Sequence, residues 1–186
     1  MEPVTLHTAR LVLDLPAETD VDAITAACQD PAIQRFTTVP KPYARKDAED
    51  FVRLIPQWWA AGSAATWVIR SGETLAGAVG LAQIDDGGAD IGYWMAPEAR
   101  GQGIVSEAVH AVVEWGFEGP LRLHRIGWRA VAGNEGSART ARSAGFRYEG
   151  TMRAAFRHGE HRDDGWIAGL LASDDRTPAD WPVLVR

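Results

Sequence analysis

Cys28 is the only cysteine among 186 residues. An internal disulfide and a Cys-rich zinc site are thereby excluded, and the chain suits a reducing compartment. The five histidines are scattered without metal-ligand spacing, so no metal is expected. No uninterrupted apolar stretch approaches the roughly 20 residues of a membrane span, and Met1-Glu2-Pro3 begins no signal peptide. A cytoplasmic protein with no membrane partner is the expectation. Positive charge is not in excess either: 19 Lys and Arg stand against 25 Asp and Glu, for a net charge of −6. That balance argues against a general nucleic-acid binder. The sequence also lacks an internal repeat, a low-complexity segment and a Pro/Gly/Ser linker long enough to separate two domains.

What remains is 46% apolar, enough for one proper core. We expect a single domain over residues 1–173, with residues 174–186 as a loosely attached tail. Partial alternation marks Thr5–Leu15 as a strand, and Thr19 or Asp20 can cap a helix running to Cys28. Asp30-Pro31 ends or interrupts that helix. A loop bounded by Pro40 and Pro42 leads into helical spacing from Lys46 to Ala60, stopped by Gly62. Ala64–Arg70, Thr74–Ile84 and Ala89–Met95 read as strands joined by Ser71-Gly72 and Asp86-Gly87-Gly88 turns, hence antiparallel. From Ile104 the period becomes helical as far as Phe117. Leu123–Val131 is a strand, Asn134–Ala144 a helix ended by Gly145, and Phe146–Phe156 and Trp166–Ala172 are closing strands. The fold class is α+β, with a mixed, mostly antiparallel sheet.

Charge is unevenly spread. Residues 1–99 carry 7 basic and 14 acidic side chains, net −7, whereas residues 100–186 carry 12 and 11, net +1. An anionic ligand would more naturally meet the second half. There the run Gly92-Tyr93-Trp94-Met95-Ala96-Pro97-Glu98-Ala99-Arg100-Gly101-Gln102-Gly103-Ile104-Val105-Ser106-Glu107 passes from strand through a Gly-rich turn into a helix. Glycines let the backbone approach a ligand, and the unpaired amides and dipole of the helix start favour a phosphate. Arg100 adds a fixed positive charge, so the geometry suits a pyrophosphate. A glycine turn that merely precedes a core helix would look the same. No Gly-Lys-Ser/Thr is present for a P-loop, and the third glycine of the dinucleotide fingerprint is missing.

The run from Ile91 to Ala108 resembles the acyl-CoA-binding signature of the GCN5-related N-acetyltransferases (GNAT). That signature reads Arg or Gln, two residues, Gly, one residue, then Gly or Ala; Arg100 and Gly103 match it, and Val105 departs at the last position. Asn134-Glu135-Gly136-Ser137, followed by Arg139 and Gly145-Phe146, resembles the Asn-x-x-Ser helix and closing Gly-Phe of the RimJ/RimL-like branch. Thr8-Ala9-Arg10-Leu11 and Trp166-Ile167-Ala168-Gly169-Leu170-Leu171 extend the similarity over roughly residues 5–173.

The resemblance implies a central sheet of about six to seven strands flanked by about four helices, with two splayed strands forming an acyl-CoA cleft. It implies acetyl-CoA, or another acyl-CoA, as co-substrate and a primary amine as acceptor, the amine attacking the thioester directly in a ternary complex. Tyr93, Trp94 and Met95 would offer backbone contacts to the pantetheine. The diphosphate would sit on Arg100, Gly101, Gln102, Gly103, Ile104, Val105 and Ser106. Asn134 and Arg139 would serve the cofactor arm, and Ser137 would stand beside the sulfur as proton donor. The other reading of Asn134 is a plain N-cap. Asp90, before the splayed strand, is a candidate base, as are Glu107, Glu149, His161, Asp163 and Asp164. The acceptor pocket is expected between the first two helices and the loop Gln34–Tyr43, with Phe36, Trp58 and Trp59 as aromatic wall and Asp47, Glu49 and Asp50 as acidic rim. Other outcomes stay open: transfer of a succinyl or other acyl group to an antibiotic-like amine, and a non-catalytic acyl-CoA sensor. A homodimer is compatible with the sequence.

Overall fold

The computed structural model describes residues 1–184, the His158 side chain aside. Its strands are β1 (Leu6–His7), β2 (Leu11–Asp14), β3 (Ala64–Ser71), β4 (Thr74–Asp85), β5 (Gly88–Met95), β6 (Arg125–Val131), β7 (Arg147–His158) and β8 (His161–Leu171). They form one sheet in the order β1-β2-β3-β4-β5-β6-β8-β7, antiparallel throughout except for the β5–β6 pair. The helices are α1 (Val21–Ala27), α2 (Pro31–Phe36), α3 (Arg45–Ala61), α4 (Ile104–Glu118) and α5 (Glu135–Ser143). The sheet thus has one strand more than the expected six to seven, because the first β segment breaks into β1 and β2 around a turn that Thr8 closes.

The extra helix is α2. Asp-Pro ends one helix but is also the start signal of the next: the Asp30 carboxylate accepts the Ile33 amide (2.9 Å), and Pro31 occupies a first-turn position that needs no N–H. The expected loop therefore begins at Thr37. α3 opens on Asp47, whose carboxylate takes the Ala44 amide (2.7 Å), and ends at Gly62 with φ 70°.

The main core lies between the sheet and the apolar stripe of α4, namely Ile104, Ala108, Val109, Val112, Val113 and Phe117. The α4 backbone comes close to core side chains at Gly116, where a Cβ would meet Ile126, Leu81 and Leu123 side chains at 3.1 to 3.3 Å. A second cluster gathers α1, Ile33, Tyr43 and Val68. Beside it Arg70 donates to both oxygens of Asp14 (2.8 and 3.0 Å) and of buried Asp20 (2.8 Å each). Burial works against the Asp20 carboxylate, but Arg70 and the Ala17 amide outweigh it and hold its pKa below the ordinary range.

The expectation of a loose tail after Ser173 is corrected by Trp181. Its ring is fully buried, its indole N–H donates to the Phe146 carbonyl (3.0 Å), and it packs on Trp128 and Tyr148. One buried tryptophan removes enough apolar surface from water to hold a short polar segment. Val185 and Arg186 lie outside the described residues.

Candidate active site

β5 has two unlike edges. Toward β4 it is paired from Asp85↔Gly88 to Gly77↔Met95. Toward β6 the pairing covers only Gly88↔Arg125 to Ile91↔Trp128, and beyond it the two strands part. The Ala96 amide donates to Ala76 (2.9 Å), which fixes the antiparallel alternation. Gly92 and Trp94 thus spend their backbone groups on β4, whereas the amides and carbonyls of Tyr93 and Met95 point into the fork. The Ala132 amide, bonded to Asp164 (2.9 Å), likewise turns those of Arg129 and Val131 toward it. A cleft of about 1090 Å³ opens at the fork.

Ser137 sits at the cleft wall in the first turn of α5, where its amide donates to the Asn134 side chain (3.3 Å). Its hydroxyl accepts from Trp128 Nε1 (3.1 Å) and donates to the Tyr93 phenol oxygen (3.1 Å). The Tyr93 hydroxyl in turn donates to the Ser137 carbonyl (2.8 Å). Burial pushes the Tyr93 pKa far up, so the phenol stays neutral.

The Gly-rich turn lies beyond the enclosed cleft. Gly101 and Gly103 adopt φ 74° and 73°, which bends the chain so that α4 begins directly after it. Glu107 is the first α4 amide to reach a helical carbonyl, that of Gly103 (3.1 Å), so the amides of Ile104, Val105 and Ser106 have none. Two guanidinium groups flank them. Arg10 donates to the Gln102 carbonyl (3.2 Å) and pairs with Glu107 (2.6 Å). Arg100 pairs with Asp30 (2.6 Å) and reaches the Met95 carbonyl (3.2 Å). The Thr8 hydroxyl and Arg10 lower the Glu107 pKa, and Arg100 lowers that of Asp30. Open amides on a turn flanked by two arginines, continuous with a strand edge where Tyr93 turns its backbone groups to the fork, suit a diphosphate bearing an extended amide arm.

A family model described as an acetyltransferase (GNAT) domain matches residues 10–147. The chain belongs to the GNAT acetyltransferases. With the family goes the reaction class, transfer of an acyl group from acyl-CoA to an amine. The chain is 31% identical over 153 residues to the uncharacterized N-acetyltransferase YoaA of Bacillus subtilis and 28% identical over 153 residues to the uncharacterized N-acetyltransferase p20 of Bacillus licheniformis. Each alignment covers 80% of this chain and 85% of the relative. Among solved structures, Mycobacterium smegmatis RimJ in complex with CoA-disulfide superposes with a TM-score of 0.81 at 21% identity, covering 91% of this chain and 88% of that one. RimL, a ribosomal alpha-N-protein acetyltransferase in complex with coenzyme A, gives 0.81 at 21%, covering 90% and 98%. These likenesses are of fold.

In this GNAT chain the cleft brings together Tyr93, Trp94, Asn134 and Ser137 with Phe36 and Trp58. Other expected residues lie apart. Trp59 has no exposed surface, donates to the Thr66 carbonyl (3.1 Å) and meets Trp67 and Trp115 edge to face, so it is core and not acceptor wall. Asp90 is ion-paired to Arg129 and lines a separate hollow of about 400 Å³ on β4, β5, β6, β7 and β8. Arg139 pairs with Glu135 on an exposed helix face (2.6 Å).

The other acidic candidates are engaged too. Glu149 holds Arg125, Asp164 holds the Ala154 amide (2.8 Å), and Asp163 binds Arg35 through two bonds (2.8 and 3.0 Å). On the acceptor rim Asp47 caps α3 and Asp50 faces Lys46 and Arg53. α1 contributes nothing to the wall. The β7–β8 hairpin does, through Phe156, Arg157 and Asp163, and so does Trp128. Of these only Asp163 was a candidate, as a base; nothing in the local sequence pattern marks Phe156, Arg157 and Trp128, because they reach the cleft only through the sheet order.

Proposed function

We propose that the protein transfers an acetyl group from acetyl-CoA to a primary amine of low basicity, such as the α-amine of a peptide or protein N-terminus or a comparable small-molecule amine. The observation that carries this reading is the fork itself. Tyr93 and Met95 offer backbone groups along one wall, and the Ser137 hydroxyl stands on the other. Acetyl-CoA supplies an activated thioester there. Tyr93 and Met95 would align its arm, and the amides of Ile104, Val105 and Ser106 with Arg10 and Arg100 would hold its diphosphate. Ser137 would give a proton to the leaving sulfur.

Low acceptor basicity follows from the carboxylates. Asp47, Asp50 and Asp163 line the cleft, and each is already capping a helix or facing a cation. None is left over to strip an ammonium ion. Freeing a lysine amine of pKa about 10.4 at pH 7 costs roughly 4.6 kcal/mol, whereas an α-amine near 8 costs only about 1.4 kcal/mol. RimL, of the same fold, is named for acetylation of a protein α-amine. The test is thiol release from acetyl-CoA in the presence of peptides, amino acids, polyamines and aminoglycosides. Peptides with free N-termini should turn over faster than the same peptides blocked there and carrying only lysine; no acceptor-dependent release would refute the reading. Within it, Ser137→Ala should lower kcat about 10- to 100-fold while the KM for acetyl-CoA changes less.

A further inference from the structure

Trp59, Trp67, Trp128 and Trp181 are the tryptophans with at most 1% of their surface exposed. A buried indole N–H must find an acceptor. Three of the four use a backbone carbonyl: Trp59 that of Thr66 (3.1 Å), Trp67 that of Val4 (2.7 Å) and Trp181 that of Phe146 (3.0 Å). Trp128 spends its N–H on a side chain instead, the Ser137 hydroxyl at the cleft wall (3.1 Å). We propose that Trp128 is a positioning residue that sets the Ser137 hydroxyl for proton transfer, and that Trp181 holds the Trp128 ring to that task. The proposal rests on the reading of Ser137 as proton donor.

A serine hydroxyl has one proton and two lone pairs, and an indole nitrogen can only donate. Trp128 therefore fills one lone pair of Ser137 Oγ and pins the oxygen. The serine proton stays free to swing between the Tyr93 oxygen, where it lies in the structure, and a sulfur in the fork. When it goes to sulfur, the O–H bond breaks, an S–H bond forms and the electron pair remains on Oγ. The Trp128 N–H already points at that developing charge, where a hydrogen bond is stronger than to a neutral hydroxyl. The Tyr93 hydroxyl, donating to the Ser137 carbonyl 2.8 Å away, can turn to the same oxygen. As the C–N bond forms and the C–S bond breaks, the acceptor nitrogen loses one proton through solvent, and one proton returns to Ser137, so the exchange balances.

The ring that carries the N–H is fixed from two sides. β6 is registered on β8 with Trp128 opposite Ala168. The Trp181 ring lies 5.3 Å away, backed by Tyr148 at 5.6 Å. The C-terminal segment is in this way joined to the cleft through the Trp181–Trp128 contact.

The test is a double-mutant cycle in the full chain, with acetyl-CoA and an accepted amine under conditions where chemistry limits the rate. Trp128→Phe should lower kcat about five- to twentyfold and shift the KM for acetyl-CoA by less than about twofold. Added to Ser137→Ala, it should cost less than about twofold more, because the group it serves is gone. Trp181→Ala should lower kcat in the parent and not in the Ser137→Ala background, and Trp181→Phe should restore it. If Trp128→Phe fails to fold, benzothienylalanine at position 128 keeps the ring shape and deletes only the N–H. Equal losses in both backgrounds, or a raised KM at full kcat, would overturn the proposal and leave the Ser137 reading standing. Full kcat in Ser137→Ala would remove both.

Discussion

In the Trp59, Trp67 and Trp115 cluster the rings meet at 4.9 to 5.5 Å, at 61° to 89° to one another, between α3, β3 and α4. In the Trp128, Trp181 and Tyr148 cluster they meet at 5.3 and 5.6 Å, more obliquely, between β6, β7 and the C-terminal segment. Each holds two fully buried rings and one half-buried ring, yet they are wired differently. The indole N–H groups of Trp59 and Trp67 end on backbone carbonyls and fix one element to another. That of Trp128 ends on a hydroxyl in the cleft. Burial is common to both clusters, so burial does not tell scaffold from site. The hydrogen-bond partner does.

The largest effect that tests this contrast is on the scaffold side. Trp59→Ala removes a fully buried ring and should cost about 3–5 kcal/mol, lowering Tm by about 6–20 °C in a chain of this size. Thermal unfolding measures that loss. The kcat of the protein still folded should stay within about twofold of the parent, since Trp59 lies outside the cleft lining and its hydrogen bond ends on the Thr66 backbone carbonyl rather than on a side chain at the fork. A tenfold fall in kcat at a temperature where the variant is folded would break the distinction between the clusters.

Next in size is the ionic counterpart of that scaffold. Asp20→Asn leaves Arg70 with Asp14 alone and should cost about 2–3 kcal/mol, less than the full price of orphaning a buried charge because Arg70 keeps one partner and some solvent. The folded pKa of Asp20 is depressed below its unfolded value. Its stabilisation is therefore present above about pH 4 and disappears as pH falls through the folded pKa. Denaturant midpoints of parent and variant should converge in acid and separate toward neutrality. A constant gap across that range would mean that the aspartate acts by shape alone.

On the site side, Arg100→Glu should weaken coenzyme A binding by about 1.5–3 kcal/mol, the scale of a charge-assisted hydrogen bond. Asp30 makes this test sharper. Its pairing with Arg100 restrains the guanidinium, so Asp30→Ala should release Arg100 and change affinity far less than Arg100→Glu does. Equal losses in calorimetry would mean that the pair matters only for holding α2 to the end of β5.

How much of this was legible depended on the range of the signal. The β3–β4–β5 meander and the α4 stripe follow from alternation, glycine turns and 3.6-residue spacing, all local. Asn134 and Ser137 were named through the resemblance of Asn134-Glu135-Gly136-Ser137 to the family's helix, and the plain N-cap reading of Asn134 is what its bond to the Ser137 amide shows. Trp58 and Trp59 could have been separated: on a helix neighbours differ by about 100°, and buried Ala48, Ile55 and Trp59 share one face. α2 was lost because Asp-Pro is both a stop and a start. The placing of Trp128, Trp181 and the β7–β8 hairpin at or behind the cleft had no local signal. Their roles arise from β6 lying next to β8 and from a contact between Trp128 and Trp181, 53 positions along the chain, which periodicity cannot express.

The smallest effect is expected at Cys28, and it asks whether touching a cleft residue is enough to matter for turnover. Cys28 is buried at the end of α1, in one cluster with Tyr43, whose side chain lines the cleft. Burial pushes its thiol up to about 11, so at pH 7.5 almost none is thiolate and it is a poor nucleophile. Its side-chain hydrogen bond is with Tyr43, and neither group is placed at the reacting atoms. Cys28→Ala should cost about 1 kcal/mol of stability through the lost sulfur and leave kcat and both KM values unchanged. Iodoacetamide should label the native chain slowly and leave its activity intact while the label is absent. An acyl group found on Cys28 by mass spectrometry would place a covalent intermediate in the reaction. A fall in kcat without unfolding and without that acyl group would show instead that a residue of the α1 cluster acts on the cleft through Tyr43.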